Sequence, residues 1–180
     1  MHTSETAGHA MRFPERGLAV LRIVVGLWFL KGVVTKLSVT LAWGVLPVPT
    51  ASERWIRTLP ILVERYAADN PVAPFKDFLQ HTVIPHGQLF AQLTAFGEAI
   101  VGVGLTLGFL TMLASGLGLW LVLNYGLATQ WIGPSQQGFH VVLAACMVVF
   151  FVSRAGRVWG IDGWLRTRRP TSPLARLPLG

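Results

Sequence analysis

Hydrophobic residues in this chain gather into four long runs, at about Gly17–Leu37, Gly87–Leu110, Thr111–Trp131 and Gly138–Ser153. At about 1.5 Å per helical residue the first three reach across a bilayer core of ~30 Å. The pattern therefore predicts membrane-spanning helices. The fourth run is shorter, and gains length if Ser135 caps its start. A Gly-Pro step at Gly133-Pro134 marks the turn before it.

Between the first two runs lies a polar segment, Ser38–His86. Thr50 and Glu53 have the spacing of a capping box. Trp55, Ile56, Leu59, Leu62, Val63 and Tyr66 then recur at helical spacing, with charged residues opposite, and Pro60 predicts a kink. Phe75, Phe78, Leu79 and Val83 repeat the pattern up to Pro85. Leu46-Pro-Val-Pro and Asn70-Pro71 read as turns. Two amphipathic helices follow, arranged flat on the membrane surface or as a lid over the mouth of the bundle. The expected fold is all-α: a single membrane domain over 1–180, an integral four-helix bundle with an external loop carrying short amphipathic helices.

Composition agrees. Of the 180 residues 52% are hydrophobic and 13% charged, about half the ~25% charged residues of soluble domains. Seven Trp and ten Phe suit a protein with two interfaces to anchor. The net charge is +7, and from Arg154 onward six Arg stand against Asp162 alone. A basic tail directly after an apolar span reads as a cytoplasmic flank, not a nucleic-acid site. Four spans put both termini on that side of a cell membrane, with Ser38–His86, four basic and four acidic residues, outside. Residues Met1–Arg16 have no signal-peptide pattern. Cys146 is the one cysteine, which excludes an internal disulfide, a CxxC pair and a c-type haem motif. Redox chemistry would need a diffusible carrier, a bound cofactor or a partner.

Glu98 is the sole charge in the Gly87–Leu110 run, where eleven Leu, Ile, Val and Phe residues offset it. An acid at that depth faces protein or a water-filled cavity and marks a functional site. If Gly87 and Leu37 lie at one interface, Glu98 is ~16 Å deep, Arg22 ~22 Å and Lys31 ~9 Å. Arg22 is the expected partner, since a guanidinium can pair bidentately. Lys31 lies on the opposite face of the first span and snorkels. His86 and His140, at the starts of the second and fourth spans, are candidates for proton transfer to a quinone or, as a pair, for haem b. Asn124 and Gln92 read as interhelical hydrogen-bonders, and Gly104 with Gly108 as a close-packing pair. Gly102-Val-Gly104 has neither the spacing nor the strand of a nucleotide loop. No metal-ligand spacing, paired carboxylates or Ser/His/Asp order is present.

These residues together resemble the DoxX/DoxD group of small four-helix membrane proteins, over Leu21–Leu165. The likeness rests on Leu21-Arg22 through Gly26, Lys31-Gly32 and Lys36, then Pro85-His86, Phe96-Gly97-Glu98, Gly102, Gly108 and Thr111. Asn124-Tyr125 follows, and Arg157-Val-Trp-Gly160-Ile-Asp162 is similar to the family's closing motif. Met112 departs from it, where a basic residue is common. The long loop is closer to the DoxD branch, associated with the membrane subunit of thiosulfate:quinone oxidoreductase. The resemblance implies quinone as a diffusible cofactor, none bound covalently, and other membrane or peripheral redox subunits as partners. It implies Glu98, Arg22 and His86 as catalytic residues and Lys31, Asn124 and His140 beside quinone or substrate. The alternative is a non-catalytic accessory or scaffold subunit of a larger respiratory or photosynthetic complex.

Overall fold

A computed structural model describes residues 12–168. Arg169, Arg176 and most of the Met1–Arg16 segment lie outside them. Seven α-helices and one hairpin are formed, in the order α1 (Arg12–Lys36), β1 (Leu37–Ala42), β2 (Leu46–Ala51), α2 (Glu53–Ala68), α3 (Ala73–Phe78), α4 (Gly87–Leu107), α5 (Thr111–Thr129), α6 (Pro134–Ser153) and α7 (Ile161–Arg168). A π-helical turn, Leu79–Val83, extends α3. Helices α1, α4, α5 and α6 are each long and apolar enough to cross a membrane. The chain is a multi-pass, all-α membrane protein apart from the hairpin. Of the apolar stretch in α4, 44% is buried, against 17% in α6. The helix carrying Glu98 is thus the most enclosed of the four, and α6 is the least enclosed.

Small residues set the spacing of the bundle. A Cβ on Gly102 of α4 would lie 2.8 Å from the Leu30 backbone nitrogen of α1, and Gly26 of α1 is filled by Thr106. Those contacts align α1 and α4 antiparallel with Leu30 beside Gly102. Gly108 ends α4 in the left-handed conformation, φ 62°, which glycine adopts without cost. Gly104 packs on Ala114 across that turn and Gly118 on Met147 of α6. Of the expected Gly104/Gly108 pair, then, one packs on the next helix and the other makes the turn.

The segment after α1 differs from expectation. Leu37–Ala42 and Leu46–Ala51 form an antiparallel hairpin with Ser38 opposite Thr50 and Thr40 opposite Val48. The turn falls at Trp43-Gly44, both at positive φ, not at Leu46-Pro-Val-Pro. Ser52 N–H donates to the Lys36 carbonyl at 2.8 Å, so alternate residues from Ser52 back to Val48 make the ladder bonds. Pro47 and Pro49 take the other positions, whose N–H the ladder does not need. Ala51 shares their outward orientation, and its N–H donates to Gln92 Oε1 of α4 at 2.9 Å. Gln92 thus ties the hairpin to α4 and does not bridge two spanning helices.

Helix α2 is capped by Ser52, whose Oγ accepts from Trp55 N–H at 3.3 Å, not by Thr50, which lies in β2. It runs continuously through Pro60. Pro60 rests on Gly87 at the start of α4. Asn70 holds the following turn, donating to the Leu127 carbonyl and accepting from Val72 N–H. Leu59, Leu79 and Val83 bury against Ala91 and Ala95 of α4 in a core of their own, apart from the bundle core around Phe29, Val101, Leu105, Met147 and Phe150. The loop helices thus cover this end of the bundle as a lid. At the start of α6, Gly133 is the N-cap and Pro134 the first helical residue; Ser135 is already inside. Proline suits that position because its missing N–H would be unpaired anyway.

Candidate functional site

Polar side chains gather at the two ends of the bundle. At the hairpin end, Glu98 is 6% exposed. Its Oε1 accepts from Lys36 Nζ at 2.6 Å and from Tyr125 Oη at 2.9 Å. Lys36 stands in the last turn of α1, Tyr125 near the end of α5. The Lys36 ammonium also lies 4.4 Å from the Trp55 ring of α2, whose Nε1–H donates to Thr94 of α4. Gly32, one turn before Lys36, leaves room for Glu98 Oε2; a Cβ there would collide with it. Oε2 accepts no hydrogen bond among the described residues.

Two cavities flank this triad. One, of about 360 Å³, lies beneath α2 and α3 and is walled by Leu59, Val63, Phe75, Phe78 and Trp120, with Asn124 among the few polar groups. The other, of about 270 Å³, lies between α1 and α6 and is lined by Trp28, Lys31, Thr35, Glu98 and Phe139. Lys36, Tyr125 and His140 line both. The triad is therefore a partition with a face on each side. One carboxylate oxygen thus accepts both an ammonium and a phenol, and the two donors reach the walls of both cavities.

At the opposite end Arg22 is fully buried. Its Nη1 donates to the Ala155 carbonyl at 3.0 Å and its Nη2 to the Trp159 carbonyl at 2.9 Å. Asp162 supplies the opposing charge. The Asp162 carboxylate accepts from the N–H groups of Leu110 and Thr111 and from the Thr111 hydroxyl, at 2.7 to 3.0 Å. Gly108, Gly156 and Gly160 leave space for these groups. This knot ties α1, the α4–α5 turn and the segment after α6 together.

Arg22 is therefore not the partner of Glu98. The expectation set Leu37 and Gly87 at one depth, but Gly32 meets Glu98 and Arg22 meets Gly108. The true register is offset by about two turns, ~10 Å. The first turns of α4 rise past α1 because the hairpin and α2 pack against them. Arg22 lies ~15 Å along the axis from the level of Glu98.

His86 is exposed, with Nδ1 bonded to the Thr82 carbonyl, and it lines neither cavity. The structure does not bring it to Glu98, nor does it join His86 and His140 in a shared site. Asn124 donates to Trp120 one turn back in α5, so it spans no pair of helices, although it lines the first cavity. Lys31 lines the second, its ammonium 5.1 Å from the Trp28 ring. His140, with Nδ1 on the Gln136 carbonyl, sits where the cavities adjoin.

Two residues of the site escaped sequence reasoning. Lys36 had a signal: it lies four positions after Gly32, on one helix face, so a neighbour packed on Gly32 meets Lys36 as well. Tyr125 had a weaker one. Gly97 packs on Leu121 and Gly104 on Ala114, which puts Tyr125 about a turn beyond Glu98, and helical side chains lean back toward the N-terminus.

No solved structure matches the chain. A family model described as TQO small subunit DoxD matches residues 18–175. With that match over most of its length, the chain belongs to the DoxD family.

Proposed function

We propose that the protein is the membrane subunit of a quinone-linked oxidoreductase of the thiosulfate:quinone type, with the quinone in the apolar cavity beneath α2 and α3. One observation carries this reading: Lys36 and Tyr125, both bonded to the buried Glu98, line that cavity. Its volume of about 360 Å³ falls in the ~300–1,000 Å³ range of small-molecule sites. Largely apolar walls interrupted by polar groups suit a ring bearing two carbonyls and a hydrocarbon tail.

A quinone supplies two-electron chemistry that takes up two protons. Lys36 Nζ, with two N–H groups not used on Glu98, is the donor able to orient a carbonyl oxygen in the cavity; Tyr125 spends its one O–H on Glu98. Glu98 does not line the cavity, so its part is to hold Lys36 and Tyr125 in place at its wall. His140, common to both cavities, takes the relay role first expected of His86. Arg22 serves the fold, not the site. Electrons enter from the donor side of the complex, through other redox subunits.

Arg154, Arg157, Arg166 and Arg168 mark the end away from the hairpin. Partial burial, then the charges of Arg166 and Arg154, lower the Arg157 guanidinium from its ordinary value. Such crowding supports a cytoplasmic tail in the cell membrane, with the hairpin and lid outside.

Glu98→Gln in membranes tests the assignment. The amide keeps the size and can still accept from Tyr125. Thiosulfate-dependent quinone reduction should vanish at normal protein level; unchanged turnover refutes the role.

The accessory-subunit reading draws on a different observation. The hairpin exposes Val39, Leu41, Trp43 and Val45, with Trp43 91% exposed, a surface suited to a partner. Gentle solubilisation followed by quinone extraction separates the two. Quinone in the preparation supports the first reading; a stable large complex without quinone supports the second.

A further inference from the structure

We propose that the outer edge of β1 is the docking site for another subunit, which adds an extended, uncharged segment to the hairpin as a third strand. The inference rests on the reading of the chain as one subunit of an assembly, which both proposals above share. It does not depend on what the cavities bind.

The two edges of the hairpin are built differently. Ladder bonds join Ser38 with Thr50 and Thr40 with Val48. Val39 and Leu41 therefore turn their backbone groups outward from β1, and Pro47, Pro49 and Ala51 turn theirs outward from β2. On β2 the prolines have no N–H, and the Ala51 N–H is taken by Gln92 of α4. That edge is closed to a further strand. It is also the edge on the bundle side, since β2 lies against α4. Nothing blocks the edge of β1. The N–H and C=O of Val39 and the N–H of Leu41 have no partner among the described residues.

Charge is the other common way to blunt an open edge, and none is present: no residue from Leu37 to Ser52 is charged. Val39 is 69% exposed and Leu41 63%, so the described chain leaves their side chains uncovered. One edge of a short sheet is thus shut by prolines while the other keeps its donors, its acceptors and a neutral surface.

The faces of the hairpin say what kind of segment fits. Side chains alternate across a strand. Val39 and Leu41 share one face with Pro49 and Pro47, their partners in register. Ser38, Thr40 and Thr50 share the other, where the Thr40 and Thr50 hydroxyls lie 3.4 Å apart. A strand added beside β1 continues both faces. It carries apolar side chains at every second position and uncharged ones between, because a charge set beside Val39 would lose water without gaining a partner. In strand addition the main-chain bonds supply affinity and the alternate side chains supply selectivity. The hairpin gains as well, since two strands alone are marginal and a third stabilises them. The family's description as a small subunit favours a larger companion as the source of the strand over a second copy of this chain.

The test uses the full chain at native level in its own membranes. Gentle solubilisation and native electrophoresis read the fraction held in a larger complex. Val39→Pro removes one outward N–H and leaves every ladder bond of the hairpin in place, as Pro47 and Pro49 do. It should lower the bound fraction about tenfold or more, whereas Val39→Thr, which keeps the N–H, should retain it. Unchanged proteolysis of α2 shows that Val39→Pro still folds. In a separate variant, a photoreactive side chain at Leu41 should cross-link to an uncharged segment of a different polypeptide, a result that needs no proline. A complex that persists in Val39→Pro overturns the docking site and leaves the subunit reading standing. A wild-type chain that runs alone overturns both. Cross-links only to a second copy of this chain, or only to lipid, overturn the assigned occupant. Quinone extracted from the same preparations reports on the cavity alone, so its presence or absence separates this inference from the quinone reading.

Discussion

Glu98 and Arg22 are both ionisable, both buried in apolar helices, and stabilised in different ways. Glu98 has a cation and a phenol on one oxygen; Arg22 has two backbone carbonyls. Removing Lys36 should cost less than the ~3–5 kcal/mol of a fully buried pair, because Lys36 is 19% exposed and water screens it in part. Lys36→Met should therefore lower the melting temperature modestly, and Tyr125→Phe by a further ~1 kcal/mol equivalent. A double-mutant cycle decides the pairing. Glu98→Gln with Lys36→Met should be non-additive in thermal stability, whereas Glu98→Gln with Arg22→Gln should be additive, as distant sites are. Coupling of Glu98 to Arg22 would restore the pair that the sequence suggested. That Glu98 is buried was legible, because a lone charge in the middle of an apolar helix has nowhere else to go. Its partner was not, because depth along one helix says nothing of the slide between two.

At the level of elements, the slide is set by glycines. Gly102 faces the Leu30 backbone, which cannot move aside, while Gly32 faces the end of the Glu98 side chain, which can. Gly102→Ala should push α1 and α4 apart and sharply reduce folded yield. Gly32→Ala should fold and, on the quinone-linked reading proposed above, lose turnover instead; equal yields for the two would contradict this packing. The N-cap gives a smaller effect: Ser52→Ala should cost about 1 kcal/mol in the stability of α2, read as earlier proteolysis of the lid. Helical periodicity revealed α2 and α3 because their apolar stripes repeat. It missed the hairpin because Pro47 and Pro49 read as breakers. Only the partner strand shows that both fall where no N–H is required.

Across the whole molecule, polar residues sort to two ends, a catalytic candidate beneath the lid and a structural knot at the other. Residues matching the family pattern divide the same way: Gly32, Lys36, Glu98 and Tyr125 at one end, Arg22, Gly108, Thr111, Gly160 and Asp162 at the other. Asp162→Asn should loosen the knot and lower thermal stability while leaving the charge around Glu98 unchanged. Topology is open to direct test. In a Cys146→Ala background, a cysteine at Val45 and one at Thr167 should label with impermeant reagent from opposite sides of the membrane. Labelling from one side would remove a span.

The sequence by itself determined that the chain crosses a membrane, how many helices do so, that Glu98 is buried and which family pattern it carries. Each of these follows from hydropathy and spacing along one chain, where the cost of exposing a charge or a backbone group to hydrocarbon leaves few choices. Tertiary structure alone decided which cation meets Glu98, that Tyr125 joins it, and that His86 stands apart while His140 lies between two cavities. Those outcomes depend on register between helices, and register is fixed by close contacts of small residues that no single helix contains.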